Sequence, residues 1–92
     1  RQASPSAEVV AEGRIVMAGS LADRRKFPEA IAMLERAGVD RARPREHHLR
    51  TWYALADLYE RAGDVPRARE LFRRITRFEV DFHDVAERLA HL

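Results

Sequence analysis

The chain has 92 residues, which is enough for one small domain and too few for the two-domain clefts of many enzymes. Hydrophobic residues make up 46% and charged residues 35% of the sequence, a composition typical of an ordered, helical chain rather than a disordered one. It contains no Cys, which excludes disulfides and thiolate metal sites and favours a reducing compartment, so we expect a cytoplasmic location.

The net charge is only +2, although Arg outnumbers Lys strongly, as is typical of GC-rich coding. Acidic residues are interleaved with the Arg residues, so the sequence has no block of like charges that would indicate a nucleic-acid-binding tail. No apolar run approaches the roughly 18 residues that a membrane helix requires, and the N-terminal segment lacks the residue order of a signal peptide. We therefore expect no membrane contact.

Proline near helix starts and glycine near helix ends predict the first two helices. Ser4 and Pro5 are predicted to begin helix one, which continues to about Asp23. Helix two is predicted to begin at Pro28 and to be ended by Gly38. The apolar positions of helix one are Val9, Val10, Ile15, Val16, Ala18 and Leu21.

The same signals predict two longer helices in the second half of the chain. Pro44 is placed to start helix three, and Gly63 follows its last apolar position. Asp64 is a good N-cap for helix four, and Pro66 suits the first turn of that helix. The apolar stripe of helix four comprises Ala68, Leu71, Phe72, Ile75 and Phe78.

A short fifth helix is predicted at the C-terminus. Asp81 is predicted as its N-cap, and Asp84 three residues later completes a variant of the capping box. The sequence thus predicts an all-α fold with about five helices and no strand.

The second half of the chain repeats the pattern of the first half after a shift of 38 residues. Small residues recur, so that Ala18 is predicted to face Ala30 in one helix pair and Ala56 to face Ala68 in the next. Seven pairs agree in size: Ala18 with Ala56, Leu21 with Tyr59, Phe27 with Val65, Pro28 with Pro66, Ala30 with Ala68, Leu34 with Phe72, and Ala37 with Ile75.

Residues 49–82 resemble a tetratricopeptide repeat over its full 34-residue length. The residues that carry the resemblance are Trp52, Leu55, Ala56, Tyr59, Gly63, Asp64, Ala68 and Phe72. The sequence departs from the family pattern at Ile75, where a small residue is preferred, and at Val80, where Pro is usual. Residues 11–44 resemble a divergent repeat of the same family.

The resemblance implies an α-solenoid of helix-turn-helix repeats. We expect a lead-in at residues 1–10, a divergent repeat at 11–44, a second repeat at 45–82 and a capping helix at 83–92. We also expect the chain to be the C-terminal fragment of a longer bacterial protein of the GC-rich, actinobacterial type.

The resemblance further implies a non-catalytic interaction module that binds a protein or peptide partner on the concave face of the stack. The family's offsets for that face give Arg50, Tyr53, Asp57, Glu60 and Arg61 in the second repeat and Glu12, Ile15, Gly19, Ala22 and Asp23 in the first. Trp52, Leu55 and Tyr59 are predicted to point into the core. Because Tyr53 and Asp57 replace the Lys and Asn of the family's carboxylate clamp, that mode of binding is not expected.

Two other interpretations remain open at this stage. Arg69, Arg73 and Arg77 share one helix face and could contact phosphates, although no aromatic ladder accompanies them. The chain could also be a purely structural end cap of a larger multidomain protein. Its partners would then be neighbouring repeats of the same chain, and a homo-oligomer is also possible.

No residues indicate catalysis, a cofactor or a metal. His47 and His48 are adjacent, so they point in different directions and are predicted to be surface residues. His83 and His91 are about 12 Å apart along a helix, too far to share one zinc ion.

Overall fold

The computed structural model describes residues 6–92, and these residues form five α-helices and no strand. The helices are α1 (Ala7–Asp23), α2 (Phe27–Glu35), α3 (Glu46–Arg61), α4 (Val65–Phe78) and α5 (Val85–Ala90). They pack as two antiparallel pairs, α1 with α2 and α3 with α4, and α5 packs against α4. The all-α prediction is therefore confirmed.

The two helix pairs keep the predicted 38-residue register at their turns. Asp23 and Arg61 end the first helices of the pairs, and Phe27 and Val65 begin the second helices. Asp64 caps α4, since its carboxylate accepts a hydrogen bond from the backbone N–H of Arg67 at 3.3 Å, as the sequence predicts. The boundaries between the proposed repeats stay predictions.

Helix α3 is the centre of the core, because it contacts α1, α2 and α4. The four small residues predicted at the close approaches, Ala18, Ala30, Ala56 and Ala68, are all buried. Trp52 is also fully buried, and its indole N–H donates to the carbonyl of Gly38 at 3.2 Å. This bond ties the long loop between α2 and α3 to the centre of the fold.

The predicted starts of α3 and α5 are wrong by one to a few residues. The predicted start at Ser4 and Pro5 lies outside the described residues, and Ser6 caps α1 by accepting from the N–H of Val9 at 3.2 Å. Pro44 precedes the N-cap Arg45 and so lies outside α3. Helix α5 begins only after Asp84, because residues 79–84 form turns and His83 has a left-handed φ of +47°.

Some predicted core positions are on the surface. Val9 and Val16 are 63% and 64% exposed on the outward side of α1, where the described residues supply no neighbouring helix. Phe78 is 45% exposed at the end of α4, although its ring centroid is 6.0 Å from that of Trp52. Periodicity identifies an apolar stripe but does not reveal whether another element covers it.

Candidate functional site

The predicted binding face runs along the exposed sides of α1 and α3. Trp52, Leu55 and Tyr59 are buried, which confirms that they point into the core. The other side of α3 presents its five predicted site residues, all half-buried or exposed: Arg50, Tyr53, Asp57, Glu60 and Arg61. On α1, Ala22 is only 1% exposed, so its assignment to this face is wrong.

An ion pair links the two helices across this face. The guanidinium of Arg50 on α3 pairs with the carboxylate of Glu12 on α1, and both side chains are nearly half exposed. Ile15 and Gly19 are half-buried on α1. Asp23 is exposed at the last residue of α1, and no described residue forms an ion pair with it. The structure therefore joins Glu12 to α3 by an ion pair, whereas Asp23 has no such pair among the described residues.

Arg88 of α5 covers the α3 side of the predicted binding face. The sequence did not predict this contact. Its Nη2 donates to Asp57 Oδ1 at 2.9 Å and to Glu60 Oε1 at 2.6 Å, and its Nη1 donates to the hydroxyl of Tyr53 at 3.3 Å. Arg61 adds a longer pair with Asp57 at 3.6 Å. The pattern of α5 carries a signal for this contact, since Arg88 follows Val85 by three residues and so lies on the apolar side of the helix.

Two aromatic rings enclose the same guanidinium. Its central carbon lies 4.9 Å from the ring centroid of Phe72 and 5.5 Å from that of Tyr53, within the range of cation–π attraction. Phe72 on α4 is fully buried, so this wall is fixed by the core. We call Tyr53, Asp57, Glu60 and Phe72 the arginine cradle.

The electrostatics of the cradle favour the charged guanidinium. Burial alone would lower the pKa of Arg88, but its hydrogen bonds to Tyr53, Glu60 and Asp57 outweigh burial and raise that pKa. Burial also raises the pKa of Tyr53, whose hydroxyl donates to the carboxylate of Asp84. Tyr53 thus links the start of α5 to the cradle.

A groove of about 340 Å³ lies beside the loop between α2 and α3. Tyr59 forms part of its wall, and its hydroxyl donates to the carboxylate of Glu35. Burial and this bond raise the pKa of Tyr59 to about 12. Arg74 donates to the carbonyl of Val39 and pairs with Glu70 at 3.7 Å, so internal contacts already use the polar groups of this groove.

A smaller cavity of about 230 Å³ lies between the first turns of α1 and α3. Its basic lining includes Arg14, Arg41, His47 and His48. Both histidines are half-buried, so each is still partly exposed at the surface. His48 also has a structural role, because its Nδ1 accepts the backbone N–H of Arg45 at 2.9 Å at the start of α3.

The predicted phosphate-contacting stripe on α4 is only partly available. Arg69 donates to the backbone carbonyl of Leu92 at 2.9 Å, which anchors the C-terminus. Arg73 and Arg77 are exposed, while Arg67 pairs with Asp64 at 2.7 Å. Internal contacts thus use part of the positive charge that nucleic-acid binding would require.

Neither a metal cluster nor a membrane segment is found in residues 6–92. No group of three or more metal-binding side chains lies close enough to hold an ion there. None of the described helices combines the length and the apolar character needed to cross a bilayer.

Comparison with protein families identifies one match. The family model described as tetratricopeptide repeat matches residues 49–92, which include most of α3, all of α4 and α5, and the whole arginine cradle. The divergent segment at residues 11–44 lies outside this match. Comparison with curated proteins and with solved structures gave no match.

Proposed function

We propose that this chain is a non-catalytic module that binds a protein or peptide partner, because residues 49–92 match the model of the tetratricopeptide repeat family, whose members generally mediate protein–protein interaction. The proposed surface comprises Glu12, Ile15, Asp23, Arg50, Tyr53, Asp57, Glu60 and Arg61. The observation that supports it is a continuous face across α1 and α3 that combines ionic groups with the half-buried ring of Tyr53.

The chemistry of this face suits a partner segment with charges of both signs. Arg50 and Glu12 are nearly half exposed, so each can exchange its present ion pair for one with a partner. Exposed ion pairs of this kind contribute little to stability, typically about 0–1 kcal/mol. Their replacement by intermolecular pairs therefore costs the fold little.

A charge swap tests this proposal without removing the ion pair. The double variant Glu12→Arg/Arg50→Glu keeps a pair between α1 and α3 but reverses the charge at each position. We expect partners captured by the full chain to be reduced at least about ten-fold by the swap, as like charges oppose binding. The matched control is Arg73→Glu, which changes an exposed charge on α4 away from this face.

The result that contradicts the proposal is equally specific. If the swapped chain keeps the fold by circular dichroism and captures the same partners in the same amounts as the wild type, this face is not the binding surface. Replacing Tyr53 or Asp57 is a less specific test, because both residues also hold Arg88.

One further observation favours a second function, that of a structural end cap. Val9, Val16 and Met17 are each more than half exposed on the outward side of α1, where they could pack against a neighbouring repeat. In that case the variant Val9→Ser/Val16→Ser would weaken assembly with the neighbouring repeat and leave partner capture by the α1–α3 face unchanged. Equal assembly of the variant and the wild type would refute this function.

A further inference from the structure

The arginine cradle has the features that distinguish an arginine from a lysine. Nη2 of Arg88 donates to Asp57 and Glu60 and Nη1 donates to the hydroxyl of Tyr53, while the central carbon lies within 5.5 Å of the ring centroids of Tyr53 and Phe72. A lysine ammonium has no planar group to stack and no rigid fork of donors. The contacts of the cradle with Arg88 are therefore those that suit a guanidinium.

The helices that form the cradle, α3 and α4, are more deeply buried than α5, which supplies Arg88. Tyr53, Asp57 and Glu60 are on α3 and Phe72 is on α4, the two helices with the most buried residues. Helix α5 has six residues, of which only Val85 is buried, and so short a helix is marginal by itself. The preceding His83 has a left-handed φ of +47°, which is unfavourable for a residue other than Gly.

We propose that the cradle binds an arginine of a partner's helical segment, and that Arg88 is an internal competitor which keeps the cradle closed until that segment displaces α5. This inference rests on the proposed interaction function and names the chemistry that its surface recognises. The structure supplies the template for the partner: in α5 an apolar residue, Val85, is buried three positions before the arginine that enters the cradle.

The internal competitor sets a threshold for the partner. A tethered segment has an effective concentration on the order of millimolar, so an external segment must bind well enough to compete with it. Removing the guanidinium of Arg88 lowers this competition without changing the walls of the cradle. Binding of an arginine-bearing helix should then become tighter.

The test uses the full chain and a fluorescein-labelled peptide with the sequence of residues 81–92. By fluorescence anisotropy, we expect the peptide to bind the Arg88→Ala chain at least about ten-fold more tightly than the wild-type chain. A peptide that carries R88A should bind the Arg88→Ala chain at least about ten-fold more weakly than the parent peptide does. A control peptide that carries E87A, a change at an exposed residue, should bind like the parent peptide. Adding Asp57→Asn to the Arg88→Ala chain should also weaken binding.

Three results would overturn the proposal. Equal binding of the parent peptide to the wild-type and Arg88→Ala chains would show that Arg88 does not compete. Equal binding of the parent and R88A peptides would show that the cradle does not recognise the guanidinium group. A wild-type dimer that Arg88→Ala abolishes in light scattering would assign the cradle to α5 of a second copy.

Further measurements keep the test decisive. If Arg88→Ala does not fold, Arg88→Lys replaces it and should bind the parent peptide more tightly than the wild type does, because lysine cannot reproduce the fork or the stacking. If the parent and R88A peptides bind equally but the Glu12→Arg/Arg50→Glu swap abolishes partner capture, arginine recognition by the cradle is refuted. The proposed interaction function then remains supported. Discrimination between the peptides with no effect of the swap would instead refute the part of the proposed surface around Glu12 and Arg50.

Discussion

His48 couples the start of α3 to pH through a single ring nitrogen. Its Nδ1 must be unprotonated to accept the backbone N–H of Arg45, and a protonated ring would add positive charge at a helix N-terminus. Burial first, and then the charges of Arg41, His47 and Arg45, lower the pKa of His48 below its usual 6.5. The folded chain therefore binds this proton less readily than the unfolded chain does.

The direction of the pH dependence follows from this difference in pKa. Above about pH 7 the ring is neutral in both states, so its contribution to the free energy of unfolding is constant. As the pH falls below about 6.5 the unfolded chain takes up the proton first, so the free energy of unfolding should decrease. Urea denaturation at pH 7.5, 6.5 and 5.5 measures this decrease.

The variant His48→Gln separates this residue from the other titrating groups. Glutamine can accept the same backbone hydrogen bond at this third helical position, but it does not titrate. We expect a smaller decrease in stability between pH 7.5 and 5.5 for the variant than for the wild type. The same decrease in both chains would show that His48 is not the group responsible.

At the scale of elements, the two helix turns have the same hydrogen bonds but different residues. The N–H of Lys26 donates to Leu21 O at 2.9 Å, and the N–H of Asp64 donates to Tyr59 O at 2.8 Å. The residue before each of these has a positive φ, +91° for Gly63 but +64° for Arg25. Only the first turn thus places a side chain in the left-handed region.

Arg25→Gly should consequently stabilise the chain. The left-handed conformation costs a non-glycine residue roughly 1–2 kcal/mol, and the greater freedom of glycine in the unfolded chain offsets about half of that. We expect a net gain of about 0.5–1 kcal/mol by urea denaturation, after loss of the weak contact between Arg25 and the Phe27 ring at 6.0 Å. The matched change Gly63→Ala should destabilise the chain by about 1–2 kcal/mol, and a loss of stability in Arg25→Gly would contradict this account.

Sequence spacing predicts the elements well because helix signals are local. Asp64 as a cap, Gly63 as a stop and the inward side of α3 all follow from contacts within a few residues. Spacing alone misses the cradle, because Arg88 meets Asp57 across 31 residues of sequence. The start of α5 is also missed, since Asp81 has the chemistry of a cap but the chain turns at His83 before the helix begins.

At the scale of the whole molecule, burial is distributed unevenly along the stack. Helix α3 has seven buried residues and α4 has four, whereas α1 and α2 have two each and α5 has one. The molecule is also elongated, with principal extents of 49 × 31 × 19 Å, so each helix draws its stability mainly from its neighbours. Unequal burial along such a stack produces unequal local stability.

Native-state hydrogen exchange should reveal this gradient. We expect the amides of α3 and α4 to exchange only by global unfolding, and those of α5 to exchange at least about ten-fold faster through local opening. Val85→Ala, which removes the one buried side chain of α5, should accelerate exchange in α5 far more than in α3. Leu55→Ala in the central helix should instead accelerate exchange in α3 and α4, because it lowers global stability by about 2–5 kcal/mol. Uniform protection across all five helices would mean that α5 opens only when the whole chain unfolds, and an arginine-bearing partner could then not reach the cradle by local displacement.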